Sequence, residues 1–208
     1  SETYKQSSTR RPDIEKIDPD NHLFARSNMK RLEAEAIRDS LLMISGKLDP
    51  SIGGPSIPVT ENNEGKPVLS SENGRRSIFV QVQRRLPLNI LATFDQPVMT
   101  PNCNKRKHTT VATQALWFMN DNESLKISEA LAKSIMTEST DLTKQLNQLF
   151  IKLFAKKPTP EELHSCIDYF HAQSERLAKQ NAEKNPDHLA MASLCQALFA
   201  SNRFLFVD

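Results

Sequence analysis

Residues 159–170, TPEELHSCIDYF, contain the clearest helix start in the chain. Thr159 is placed to cap the first turn, Pro160 suits the first helical position, and Glu162 completes a capping box three residues after the threonine. Comparable boundary residues occur at Asp141 and at Pro186-Asp187. The pattern predicts four consecutive helices, at about residues 122–138, 141–156, 160–182 and 187–201, and hence a mainly α fold.

Three further segments upstream have helical patterns. The strongest spans about Asn28 to Ser45, where apolar residues from Met29 to Ile44 recur at helical spacing and Gly46 supplies a stop. Two shorter helices are predicted at about residues 88–94 and 112–119. We expect the large aromatic side chains to form much of the core: Trp117, Phe118, Phe150, Phe154, Phe199 and Phe204.

Residues 49–74 are predicted to form a long loop, because they contain several prolines and four of the five glycines. We expect the portion from Glu61 to Gly74 to be the more mobile one. The next segment, Arg75–Gln83, alternates apolar and polar residues with period two and is the one predicted strand. Since a lone strand leaves its hydrogen-bonding groups unpaired, its partner is expected in the loop or in sequence outside this chain.

The chain is predicted to form one domain over residues 1–208, a length within reach of a single domain. Residues 1–19 are polar and are expected to form an extended lead-in, with Asp18 placed to cap a short helix that starts at Pro19. This organisation is typical of the helical C-terminal part of a longer protein, in which residues 122–201 form a helical subregion.

The composition disfavours several functional classes. Lys and Arg total 27 against 25 Asp and Glu, which gives a formal charge of +2 and disfavours a nucleic-acid binder. No run approaches the roughly 18 apolar residues of a membrane span. The three cysteines, Cys103, Cys166 and Cys195, form no C-x-x-C pair, so no zinc knuckle or haem attachment is predicted. We expect Cys166 and Cys195 to stay unpaired, the histidines to be surface residues, and no metal site.

One face of the predicted helix at 28–45 carries Arg31, Glu35, Arg38 and Asp39 at positions i, i+4, i+7 and i+8. A functional interpretation makes Glu35 and Asp39 an acid/base pair in a ligand-facing patch. A structural interpretation makes the same residues a ladder of ion pairs along the helix, or anchors for loops. Neighbouring arginines would lower the carboxylate pKa values, which suits anchoring better than general acid catalysis.

Other polar residues are candidates for the same patch. Asp95 is a third weak candidate for catalysis, and Arg31 and Arg38 join a wider set of ligand or interface candidates: Arg75, Arg76, Arg106, Thr109 and Thr110. Basic clusters lie at Arg75-Arg76, Arg84-Arg85 and 105–108, and are interpreted as solvated charge or as a surface for an acidic partner. Gly53-Gly54-Pro55-Ser56 is interpreted as a tight turn, since it lacks the lysine and helix of a phosphate-binding loop.

An ordered series of short blocks resembles a known family. The blocks are DPDN at 18–21, RLEAEAIRD at 31–39, GGPS at 53–56, RRS at 75–77, FDQP at 94–97, QAL at 114–116, LCQ at 194–196 and SNRF at 201–204. In this order the chain is similar to the C-terminal domain of unknown function (PSD type) of large planctomycete cytochrome-c-like multidomain proteins. The resemblance implies no catalytic residues, because none is established for this domain.

The same resemblance implies an exported or periplasmic protein whose haem is bound in a separate upstream domain, so that no cofactor is expected in this chain. The expected partners are the upstream domains, and a polysaccharide or another exported protein. Our first hypothesis is therefore a non-catalytic structural, partner-binding or glycan-binding module. The alternative is a carbohydrate-active hydrolase in which Glu35, Asp39 and Asp95 line a cleft with the arginines.

Overall fold

The computed structural model of the chain describes residues 2, 5–70, 74–97, 103, 106, 108–180 and 185–207. Within these residues the protein is mainly α, as the helical patterns predict. In chain order the elements are α1 (Pro12–Glu15), β1 (Lys30–Arg31), α2 (Ala34–Ile44), β2 (Val59–Glu61), β3 (Pro67–Leu69), a 3-10 turn (Ser77–Phe79), α3 (Asn89–Thr93), α4 (Ala112–Asn120), α5 (Asn122–Glu138), α6 (Leu142–Phe154), α7 (Pro160–Gln180), α8 (Pro186–Phe199), α9 (Asn202–Leu205) and β4 (Phe206–Val207).

The C-terminal helices begin close to the predicted residues because side chains cap their first turns. Thr159 Oγ1 accepts a hydrogen bond from the Glu162 amide at 3.2 Å, and Glu162 Oε2 accepts one from the Thr159 amide at 2.8 Å. Asp141 caps α6 in the same way, and Asn185 caps α8. Such a cap contributes about 1 kcal/mol. Residues 181–182, the predicted end of α7, lie outside the described part of the chain.

The core is centred on Phe118 of α4, which is fully buried. Its ring packs 5.5 Å from Phe94, 5.3 Å from Trp117, 6.3 Å from Phe199 and 6.5 Å from Phe204, measured between ring centroids. These rings come from segments at α3, α4, α8 and α9. The prediction of an aromatic core is therefore confirmed, although Phe154 is only partly buried.

Helix α2 is shorter at its N-terminal end than predicted. It begins at Ala34 instead of near Asn28, because β1 pairs in antiparallel fashion with β4 and thereby takes Lys30 and Arg31 out of the helix. The Leu32 amide extends this pairing by donating to the Leu205 carbonyl at 2.8 Å. Met29, predicted to face the core, is exposed instead.

The predicted strand at Arg75–Gln83 is wrong. Ser77–Phe79 form a 3-10 turn, and Ile78 is exposed while Val80 is buried. Part of the expected pairing does occur, because Ile57 in the loop donates to the Phe79 carbonyl and accepts from the Gln81 amide. A tight turn replaces the strand because Asp39 binds the Ser77 amide and hydroxyl, each at 2.7 Å.

The predicted loop at 49–74 contains a hairpin, β2–β3, whose turn is closed by Asn62. The part expected to be most mobile, from Glu61, therefore lies mostly in this hairpin, and residues 71–73 lie outside the described part of the chain. The lead-in also differs from the prediction. Asp18 caps no helix at Pro19, and its carboxylate instead accepts hydrogen bonds from the His22 and Leu23 amides that close a turn.

We predict that Phe118→Ala lowers the free energy of unfolding by about 3–5 kcal/mol, because it leaves a cavity among several aromatic rings. Met119→Ala is the matched control, since Met119 is the next residue on α4 and is exposed; it should change stability by no more than about 0.5 kcal/mol. Urea unfolding followed by circular dichroism measures both. Equal losses in the two variants would contradict the central position of Phe118.

Candidate functional site

The predicted ladder of ion pairs on one helix face does not form, because Arg31 lies on β1. Its side chain is 2% exposed, and Nη2 donates to Asp95 Oδ2 at 2.6 Å and to the Phe94 carbonyl at 3.2 Å. Asp95 also accepts from the Thr109 amide at 2.7 Å and from the Thr109 hydroxyl. This cluster ties β1 to the segments that precede and follow the 98–107 region.

Glu35 pairs with Arg106, not with Arg31 or Arg38. The guanidinium makes a two-pronged contact, with Nη1 2.7 Å from Oε2 and Nη2 3.1 Å from Oε1. Glu33 lies 3.3 Å from the same Nη1. Partial burial opposes ionisation of Glu35, but the hydrogen bonds and charge of Arg106 hold its pKa below the ordinary value.

Asp39 belongs to a third cluster, around Ser77. Arg38 is almost fully buried there and donates to the Ser77 hydroxyl at 3.2 Å and to the Arg75 carbonyl at 3.1 Å. Arg76 approaches Asp39 at 3.5 Å. Desolvation lowers the pKa of Arg38, and the nearby charges of Glu123 and Asp39 oppose that shift.

The remaining candidates are also in structural contacts or at the surface. Arg75 stacks over the Phe79 ring at 4.1 Å and donates to the carbonyls of Pro55 and Gly53, so it braces the predicted Gly-Gly-Pro turn. Thr110 is exposed. Of the basic cluster at 105–108, Lys105 and Lys107 lie outside the described part of the chain. The structure thus distributes the predicted site over separate clusters.

A cleft of about 1240 Å³ lies between the hairpin and the helices. Its walls come from the hairpin residues Asn62–Leu69, from the end of α2, and from α3, α4 and the start of α5. Arg38 is the one predicted site residue among its lining residues. The acidic residues that line it are Asp121 and Glu123, neither of which the sequence analysis singled out.

Glu123 lies in the first turn of α5, 3.9 Å from Arg38 Nε. Desolvation raises its pKa, and the charge of Asp121 adds to this effect. Arg38, Lys47 and Lys126 oppose the shift. The Asp121 carboxylate accepts two hydrogen bonds from the fold. One oxygen accepts from the Glu123 amide and so caps α5, and the other accepts from Asn89 Nδ2 at 3.2 Å.

Trp117 also lines the cleft, and it is the only tryptophan in the chain. The residue is 5% exposed, and among the described residues no group accepts a hydrogen bond from its indole Nε1. A buried indole N–H usually has a partner. The burial of Trp117 agrees with its predicted place in the core, but nothing in the sequence indicates that its N–H lacks a hydrogen-bond acceptor among the described residues.

The part of the chain that the structure describes brings together no group of three or more His, Cys, Asp and Glu side chains able to bind a metal ion. None of its helices is long and apolar enough to cross a bilayer. Cys166 and Cys195 are free and buried, as predicted, and burial raises the pKa of Cys195 to about 12. Cys103 is exposed.

The model of a family described as PSD1, protein of unknown function (DUF1553), matches residues 1–170. No curated protein matches the chain, and no solved structure does.

The Glu35–Arg106 pair should make stability depend on pH. Because the folded pKa of Glu35 lies below its ordinary value of 4.5, the pair stabilises the fold fully above that value and is lost as the pH falls through the folded pKa. We therefore predict that Glu35→Gln is less stable than the unaltered protein near neutral pH and loses less stability between about pH 5 and about pH 3. Urea unfolding at several pH values measures this. Arg106→Gln should flatten the same part of the profile, and an unchanged profile in either variant would contradict the pairing.

Proposed function

The chain belongs to the PSD1 family of proteins of unknown function, and we propose that this protein is a non-catalytic module that binds a saccharide in the cleft. The observation that carries the proposal is the cleft itself, in which Trp117, whose indole N–H has no hydrogen-bond partner among the described residues, lies beside amides, hydroxyls and apolar side chains. An unsatisfied buried donor costs about 1–3 kcal/mol. The exposed area of Nε1 is below 1 Å², so a ligand hydroxyl that accepts this hydrogen bond would recover that free energy after a small shift of the cleft lining.

The size of the cleft supports an extended ligand. Its volume of about 1240 Å³ exceeds the roughly 300–1,000 Å³ of sites for compact small molecules. The lining alternates apolar side chains, such as Leu69 and Leu116, with amides and hydroxyls, such as Asn120 and Thr113. Sugars combine apolar C–H faces with hydroxyl groups, so both kinds of lining residue would find partners on such a ligand.

The carboxylates support binding without turnover. Glu35, Asp39 and Asp95 each accept hydrogen bonds from groups that hold the fold, so their oxygens are engaged before any ligand arrives. In the cleft, Asp121 is engaged by the helix cap and by Asn89. Glycoside hydrolysis ordinarily needs two carboxyl groups facing the scissile bond, and of the two described carboxylates that line the cleft, Asp121 is the one fixed by hydrogen bonds of the fold.

One observation favours the hydrolase alternative. Burial raises the pKa of Glu123, and a raised pKa is what a general acid requires. In that interpretation Glu123 protonates a leaving group, and the base for the attacking water would have to be Asp121, which also caps α5 and accepts a hydrogen bond from Asn89. We therefore place hydrolysis second to binding.

The setting of the module is also part of the proposal. The sequence blocks quoted above support a position next to upstream domains of an exported protein, one of which binds haem. They likewise support a polysaccharide or another exported protein as the partner. Mass spectrometry of the mature protein from its native cell, fractionated by compartment, tests this setting, and recovery in the cytoplasmic fraction alone would contradict it.

We predict that the chain binds a hexasaccharide without cleaving it. The single tryptophan makes this measurable, since ligand entering the cleft should shift the Trp117 emission. Cellohexaose and hexagalacturonate serve as the neutral and acidic probes, with calorimetry as a second readout and chromatography of the recovered sugars. Trp117→Phe removes the donor and should weaken binding about 5–10-fold in calorimetry, which corresponds to one hydrogen bond.

The experiment has three distinguishable outcomes, one that supports the binding module and two that overturn it. Saturable binding with intact sugars supports the module. Absence of binding by both probes, in fluorescence and in calorimetry, overturns it. Cleavage that disappears in Glu123→Gln, while binding persists, establishes the hydrolase instead.

A further inference from the structure

We infer that the ligand of this cleft is an acidic oligosaccharide, whose carboxylates meet Lys47 and Lys66. The inference rests on the proposed saccharide site and adds the charge of the ligand to it. Among the described residues, four cationic side chains line the cleft, namely Arg38, Lys47, Lys66 and Lys126, against the two carboxylates of Asp121 and Glu123; Glu64, which pairs with Lys66, is not one of these lining residues.

The carboxylates of the cleft are already neutralised in part by the fold. Asp121 accepts hydrogen bonds from α5 and from Asn89, and Glu123 faces Arg38 at 3.9 Å. Lys47, whose charge also acts on Glu123, and Lys66 lie on two different walls, one just after α2 and the other at the hairpin. This excess of positive charge favours an anionic ligand and would raise its association rate.

Lys66 is available to a ligand although it has an ion pair. It contacts Glu64 at 2.9 Å, and both side chains are about two-thirds exposed. Exposed pairs of this kind contribute about 0–1 kcal/mol, so a ligand carboxylate can replace Glu64 at little cost. The pair raises the pKa of Lys66, which keeps the ammonium charged.

The neutral lining residues favour a sugar over other polyanions. Asn120 makes one hydrogen bond, from Nδ2 to the Leu116 carbonyl, and its amide retains capacity to donate and accept. Val68 on the hairpin and Leu116 on α4 give the cleft exposed apolar surface for C–H faces. Trp117 is the one aromatic side chain among the described lining residues and is buried, so the cleft offers no stacking platform for nucleic-acid bases.

Glu123 adds a pH dependence to this recognition. The charged groups that face it are Arg38, Lys47, Asp121 and Lys126. Protonation of Glu123 removes a negative charge beside the ligand, while uronate carboxylates, with pKa values of about 3.5 like an α-carboxyl group, remain ionised. Acidic sugars should therefore bind more tightly as the pH falls through the raised pKa of Glu123, and Glu123→Gln should bind tightly on both sides of that pKa.

The test compares hexagalacturonate with its fully methyl-esterified form, which has the same length and hydroxyl groups but no charge. Calorimetry and Trp117 emission should give at least tenfold tighter binding of the acid at low salt, and added salt should weaken binding of the acid alone. The double variant Lys47→Ala/Lys66→Ala should lose about tenfold for the acid and nothing for the ester. Lys156→Ala/Lys157→Ala, outside the cleft, is the matched control and should behave like the unaltered chain.

The possible failures are distinguishable. Equal binding of acid and ester overturns the acidic ligand but leaves the saccharide module standing, and binding of neither, nor of cellohexaose, overturns both. Hexaglutamate is the third probe, because equal binding of this acidic peptide would assign the cleft to acidic peptides. Unchanged far-ultraviolet circular dichroism of the lysine variants shows that any loss of binding does not come from unfolding.

Discussion

The fold depends on the packing of Phe118 at the junction of the helices. Besides its aromatic neighbours, its backbone carbonyl accepts two side-chain hydrogen bonds, from Ser124 of α5 at 2.7 Å and from Gln196 of α8 at 3.0 Å. A buried carbonyl with both lone pairs occupied fixes the direction in which α4 enters the core. The position of α4 in turn determines where Trp117 and Leu116 lie, and both residues line the cleft.

The arginines join segments that are far apart in the chain. Arg31 reaches Asp95, Arg106 reaches Glu35, and Arg203 reaches Glu162 while lying over the rings of Phe150 and Phe154. A planar guanidinium suits this use, because it binds a carboxylate and packs its face on apolar surface. Removing Asp95 would leave the Arg31 charge desolvated, because that side chain is 2% exposed, so this pair specifies the arrangement of the loops more than it adds net stability.

Local signals predicted the helices of the last third because caps and periodicity act within a few residues. Long-range pairing decided two of the elements that were not predicted correctly. Lys30 and Arg31 leave the predicted helix because β4, about 175 residues away, supplies backbone partners. The alternation at 75–83 is a real pattern, but the Asp39 carboxylate holds Ser77 in a turn, and a side chain 38 positions away has no local signature.

The candidate site could be predicted only in part for the same reason. Arg38 was singled out because its charge pattern on the helix is local, and it does line the cleft. Trp117 and Glu123 depend on where the hairpin, α3 and α5 meet, so their burial and their partners follow from tertiary packing. Arg38 belongs both to the Ser77 cluster and to the cleft, because its guanidinium binds the Ser77 hydroxyl and also faces Glu123. The same charged side chain therefore holds a loop in place and contributes to the electrostatics of the cleft. For this reason, the prediction made from one helix face assigned these residues to a single site.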